Sequence, residues 1–208
     1  MRDIYLFVSL VLTAMLLRYG LMEWVYTDDV YFYAFSETLS DERIGKLLKT
    51  RKEWAWLGFA LTPFFYALKI FLASACLYCG LFFANVKSSF ATLFSISLRA
   101  EYLFLLPIAM RLLWFTVIQT DYALSEISSF PPFSLRNLLG SETDEAWVVY
   151  PMRVVNLFEL AYIFTLAASI AHHFQTGFLR ALKLVTVSYG LGLLLWIIFV
   201  AFLLINQS

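Results

Sequence analysis

Charge is what this chain most lacks. Of its 208 residues, 15 are Lys or Arg and 15 are Asp or Glu, only 14% in all, and the formal net charge is zero. A soluble domain of this length needs more polar surface, and a balanced charge gives no hint of a nucleic-acid partner. Histidine is confined to the adjacent pair His172 and His173, with no carboxylate or thiol at ligand spacing. Neighbours on a helix point too far apart to share an ion, so no metal is expected. The motifs G-x-x-x-x-G-K-[ST], H-E-x-x-H and G-x-S-x-G are all missing. Neither catalysis nor a cofactor is therefore expected. Met1-Arg2-Asp3 runs into an apolar stretch without a small-residue cleavage site, so a removable leader is not expected either.

What the chain has is apolar bulk. It is 62% hydrophobic and 19% aromatic, with a mean hydropathy of +0.77. That composition defines an all-α, multi-pass membrane protein, read here as a single membrane domain over 1–208 with about five spans. The first span covers 4–25, with Arg18 and Glu23 snorkelling beside Trp24 and Tyr26. An amphipathic connector over 27–53 follows at the interface. Its late cluster Arg43, Lys46, Lys49, Arg51 and Lys52 reads as a solvated face or as a dock for an anionic lipid or partner. The second span is 54–84, kinked at Pro63, and an elbow over 85–89 leads to 90–98 along the interface. The third is 97–119, kinked at Pro107. An acidic extramembrane loop over 120–146 holds Asp121, Glu126, Glu142, Asp144 and Glu145 against Arg136, and is broken by Pro131, Pro132 and Gly140. The fourth and fifth spans are 147–171 and 178–205.

Five spans place Arg2, Lys87, Arg99, Arg180 and Lys183 on one side, against six Lys and Arg on the other. The two elbows are short, basic and free of acids, which favours a cytoplasmic N-terminus in the inner membrane with the acidic loop outside.

The spans are organised by an echo. At an offset of 88 residues, Pro63 falls on Pro151, Ala73 on Ala161 and Phe90 on Phe178. Each copy reads proline, long apolar run, polar elbow, second apolar run, which predicts that spans two and three repeat as four and five in parallel. Small residues four apart (Ala75 and Cys79, Ala167 and Ala171, Ser188 and Gly192) mark faces that point at other helices.

Ionisable groups inside a membrane are costly and tend to be functional. Counted inward from the acidic loop, Arg111 and Arg153 lie about two turns deep, and Lys69, Asn156 and Glu159 near the middle. These five are expected to form one buried polar cluster, with Glu101 nearer the opposite face. Its chemistry has two readings: Glu159 pairs with Lys69 or Arg111 and fixes the packing, or the surplus positive charge holds an anion such as a lipid phosphate. Cys76 and Cys79 form a C-x-x-C similar to that of the disulfide-generating quinone oxidoreductases. Those enzymes pass the oxidation to a second cysteine pair, which this chain does not have. Core packing is the other reading of the two thiols.

The Pro-led helices (Pro63-Phe64-Phe65 with Leu68-Lys69-Ile70-Phe71, and Tyr150-Pro151 with Asn156-Leu157-Phe158-Glu159-Leu160) and the elbows before Phe90 and Phe178 resemble the Yip family of small membrane proteins. The resemblance spans about 54–205. It implies membrane organisation or trafficking through partners, without catalysis. In size and span number the chain is also similar to small bacterial accessory membrane proteins, including those encoded beside RNA-guided defence nucleases. The expected role is thus a non-enzymatic accessory or scaffold protein. Its expected partners are membrane lipids, including anionic ones, and another membrane protein or further copies of the chain. The repeat and the buried charges keep a small oligomeric transporter or channel as the alternative.

Overall fold

The computed structural model describes residues 1–130, 132–136 and 145–206. It is all-α: 84% of it is helical. Among the described residues the one strand-like feature is a single antiparallel bridge between Ser134 and Asn156. The chain runs through α1 (Arg2–Trp24), α2 (Asp28–Phe35), α3 (Asp41–Phe83), α4 (Phe90–Glu101), α5 (Leu105–Leu113), α6 (Leu124–Ser129), α7 (Ala146–Val154), α8 (Leu157–His173) and α9 (Phe178–Ile205). A 3-10 turn, Tyr102–Phe104, leads into α5, and a π turn, Trp114–Ile118, leaves it. Four stretches are long and apolar enough to cross a membrane: Arg2–Trp24, Asp41–Phe83, Phe90–Ile118 and Phe178–Ile205. Of the expected acidic loop, α6 forms part, while Pro131, Gly140, Glu142 and Asp144 lie outside the described residues.

Three segments differ from the sequence expectation, each for a local reason. The connector and second span are not separate, because α3 is one helix of 43 residues, about 64 Å long. Asp41 and Glu42 suit its N-terminus, and Lys46–Glu42 and Lys49–Glu53 pairs at 2.7 and 3.9 Å reinforce the first turns. Pro63 sits inside this helix. Beside the rung that the proline cannot make, the Thr62 hydroxyl donates to the Gly58 carbonyl at 2.8 Å.

The third span starts earlier than expected, at Phe90. Ser89 caps it by accepting from Thr92 N–H at 3.2 Å. The 3-10 tightening at Tyr102–Phe104 lies just ahead of Pro107, whose missing N–H and bulky ring disturb the turn holding Leu103.

The fourth expected span, 147–171, is broken. Asn156 ends α7 and begins α8: its side chain accepts from Glu159 N–H at 2.9 Å and donates to the Arg153 and Val154 carbonyls at 3.1 and 3.0 Å. Residues 133–135 cross the gap. Leu135 N–H donates to the Val155 carbonyl at 3.0 Å and Leu157 N–H to the Phe133 carbonyl at 3.1 Å. The groups freed by the break are thereby satisfied within the protein, as an apolar surrounding requires.

The chain forms two compact units. The first gathers Met1–Leu6, Leu68–Phe104 and Pro131–Ser208. Helical stripes build its core: Ala73, Leu77 and Leu81 from α3, Leu93, Ile96 and Ala100 from α4, Tyr162, Leu166 and Ile170 from α8, and Ala181, Val185 and Tyr189 from α9. Trp196 of α9 donates to the Tyr150 hydroxyl of α7 at 2.8 Å. Both elbows close in the same way. After α3, Asn85 takes φ 56° and Val86 N–H donates to the Leu81 carbonyl at 2.9 Å. After α8, Gln175 takes φ 52° and Thr176 N–H donates to the Ala171 carbonyl at 3.1 Å. Each is a Schellman-type stop built on a left-handed residue.

The second unit holds Phe7–Ala67 and Leu105–Phe130. Leu21, Val25, Phe115 and Ile127 form its core, and the Tyr122 hydroxyl donates to the Trp24 and Val25 carbonyls at 3.2 Å. Arg51 donates to the Tyr26 carbonyl at 2.9 Å, pairs with Asp28 at 3.2 Å and lies over the Tyr31 ring. Lys52 also pairs with Asp28. Most of the basic cluster on α3 therefore has carboxylate partners of its own, which weakens its reading as an anion dock.

Candidate functional site

The polar layer of the first unit is the candidate site. On α4 the inward stripe is Leu93, Ser97, Ala100 and Glu101, so Glu101 arrives in the core, 1% exposed. On α3, Lys69 stands one turn before the buried Ala73 and reaches Glu101 Oε1 at 2.7 Å. The Phe104 ring lies 3.2 Å below the same ammonium, a cation–π contact that shares in holding it. On α8, Glu159 and Tyr162 project inward beside Phe158 and Leu166. Tyr189 of α9 donates its hydroxyl to Glu159 Oε1 at 2.6 Å and packs on Tyr162 with ring centroids 5.3 Å apart. The layer is thus two pairs, Lys69–Glu101 and Tyr189–Glu159, with Tyr162 between them.

Three further polar atoms complete it. Glu101 Oε2, Ser97 Oγ and the Tyr162 hydroxyl are buried and make no hydrogen bond among the described residues, although the Tyr162 hydroxyl lies beside both Ser97 and Glu101. A buried acceptor next to two hydroxyls is a place where a water or a small cation finds ligands.

Of the five residues expected to form one cluster, the structure brings some together. Lys69 is within electrostatic reach of Glu159, but its ion pair is with Glu101, which the sequence reading had set nearer the opposite face. That shift follows from α4 starting at Phe90, which carries Glu101 onto the Leu93–Ser97 stripe. Asn156 contacts the Glu159 backbone as a helix cap. Arg153 stands at the end of α7, where its carbonyl accepts from Asn156. Arg111 belongs to the second unit, where it donates to the Phe130 carbonyl at 2.7 Å. Among the described residues the ion pair of this layer joins Lys69 to Glu101, with Glu159 beside it. Tyr162 and Tyr189 were missed altogether. The fourfold spacing of Ala181, Val185 and Tyr189 was the available signal for the second of them.

Cys76 and Cys79 are free thiols. Cys76 sits where α3 crosses α9: a Cβ on Gly192 would fall on its sulfur, and one on Gly80 would collide with Ser188. The close approach uses Cys76 and Gly80 on one helix and Ser188 and Gly192 on the other, all small and four apart. Among the described residues no group of three His, Cys, Asp or Glu is placed to hold a metal.

Comparison with protein-family models, with curated proteins and with solved structures finds no match to this chain.

Proposed function

We propose that this is a non-enzymatic integral membrane protein, a scaffold or accessory that acts by binding lipids and other membrane proteins. The observation carrying this reading is the pairing within the polar layer. Lys69 is held by Glu101 and Phe104, and Glu159 by Tyr189, an arrangement suited to fixing how four helices pack. The outer faces point the same way. Only 6% of the most apolar window of α9 is buried within the chain, which leaves that helix free for lipid or partner helices.

In this reading α8 serves as a fifth span, the N-terminus is cytoplasmic in the inner membrane, and α3–α4 and α8–α9 are parallel copies of one helix pair. The matching Schellman-type elbows at Asn85 and Gln175 support the duplication. The Yip-like resemblance of the Pro-led helices belongs with the same proposal. Gentle purification of the full chain from native membranes should recover a reproducible protein partner. A partnerless, monodisperse protein that moves solute would overturn the proposal.

A second reading, a small oligomeric transporter, is favoured by one feature. The helix break at Asn156 starts a half-helix beside buried carboxylates, as at transporter ion sites. Proteoliposome flux separates the two, since a scaffold leaves an imposed ion or proton gradient intact.

A further inference from the structure

In the first unit, a groove of about 960 Å³ lies between α3 and α9. The close crossing of the two helices at Gly80–Ser188 and Cys76–Gly192 forms part of its lining. Its walls are apolar, with Ala75, Val187, Leu191 and Leu195 among them. Its mouth is different. Val86 and Thr176 bring the two elbows to the rim, and Arg180 and Lys183, one turn apart in the start of α9, add two positive charges. Among the described residues no carboxylate lines the groove. Neither cation makes an ion pair among the described residues, in contrast to Lys46, Lys49, Arg51 and Lys52 on α3.

From this geometry we infer that the groove is a binding site for an anionic glycerophospholipid, its phosphate at Arg180 and Lys183 and an acyl chain along Val187, Leu191 and Leu195. The dimensions suit that occupant. From Arg180 to Leu195 the helix rises about 22 Å, enough to line an acyl chain through one leaflet of roughly 15 Å. The elbow position puts the cations where a headgroup lies, and each basic residue near an anionic surface contributes about a factor of five in binding. The inference names the lipid partner of the proposed scaffold and rests on that membrane reading.

The test uses the full chain in neutral detergent, titrated with phosphatidylglycerol, with phosphatidylcholine and with inorganic phosphate, and read by native mass spectrometry and thermal shift. Phosphatidylglycerol should bind and stabilise more than phosphatidylcholine, and free phosphate should neither bind nor compete. The double variant R180Q/K183Q should lose that preference by roughly 30-fold. Leu191→Trp, which fills the exposed groove and keeps both cations, should weaken both lipids together. Circular dichroism and a monodisperse elution profile show that each variant is folded. Unchanged phosphatidylglycerol preference in the folded R180Q/K183Q protein would overturn the inference, as would phosphate competing with the lipid. Partner recovery by that variant reads the scaffold proposal separately: a lost lipid preference with the partner still bound leaves both in place, and a retained preference with the partner still bound removes only the groove.

Discussion

Two segments of this chain begin alike and end differently. Pro63 and Pro151 both stand inside helices, yet α3 continues for 20 residues beyond its proline to Phe83, whereas α7 stops three residues after Pro151, at Val154. The difference lies at the position that the 88-residue offset pairs, Leu68 after the first proline and Asn156 after the second. Leucine has nothing to offer the backbone. Asparagine accepts from Glu159 N–H and donates to two carbonyls, and residues 133–135 take up the groups that remain. A proline is tolerated in a helix that is otherwise well supported; a capping side chain with a receiving segment ends it. The next residues then diverge in charge, α3 bringing the half-exposed Lys69 to the edge of the core and α8 delivering the buried Glu159.

The comparison is broken most severely by removing what the unbroken helix supplies. Lys69→Met leaves Glu101 buried beside Glu159 without its cation, and should lower stability in detergent by roughly 3 kcal/mol, read as a fall in melting temperature. Next comes the close crossing. Gly80→Leu places a side chain on Ser188 and should cost about 2 kcal/mol as α3 and α9 are forced apart, with increased alkylation of Cys76 as the local readout. On the broken side, Asn156→Ala removes the cap of α8 and should cost about 1 kcal/mol, with faster amide exchange at Leu157, Phe158 and Glu159 and little change at Lys69. The smallest effect has the opposite sign. Gly45 has open space around its Cα, so Gly45→Ala should stabilise the start of α3 by about 0.5 kcal/mol.

Much of this was legible in the sequence. Hydropathy placed the four long apolar stretches to within a few residues except at the start of the second and third, because nothing in the physics of 18 or more apolar residues competes with a helix there. Those two starts were missed for one reason: 27–53 and 90–98 were read as lying along the interface, whereas the helices that carry the paired charges Glu42–Lys46 and the serine cap Ser89 run on without a break into the apolar stretches. The break at Asn156 was illegible because it depends on residues 133–135, distant in sequence, arriving to accept it. The site suffered accordingly. Lys69, Glu159 and Asn156 were singled out as intramembrane polar groups, but their partners Glu101 and Tyr189 are chosen by helix phase, which a shift of a few residues in a boundary alters.

The central claim is that Lys69 is partnered by Glu101 while Glu159 is held by Tyr189. A double-mutant cycle in detergent tests it most directly, with Lys69→Met, Glu101→Gln, Glu159→Gln and the two doubles that contain Lys69→Met, each read by thermal unfolding. The structure predicts that Lys69→Met and Glu101→Gln together cost less than their sum by at least about 1 kcal/mol, and that the coupling with Glu159→Gln is clearly smaller. Strict additivity of Lys69→Met with Glu101→Gln, and strong coupling with Glu159→Gln in its place, would contradict it.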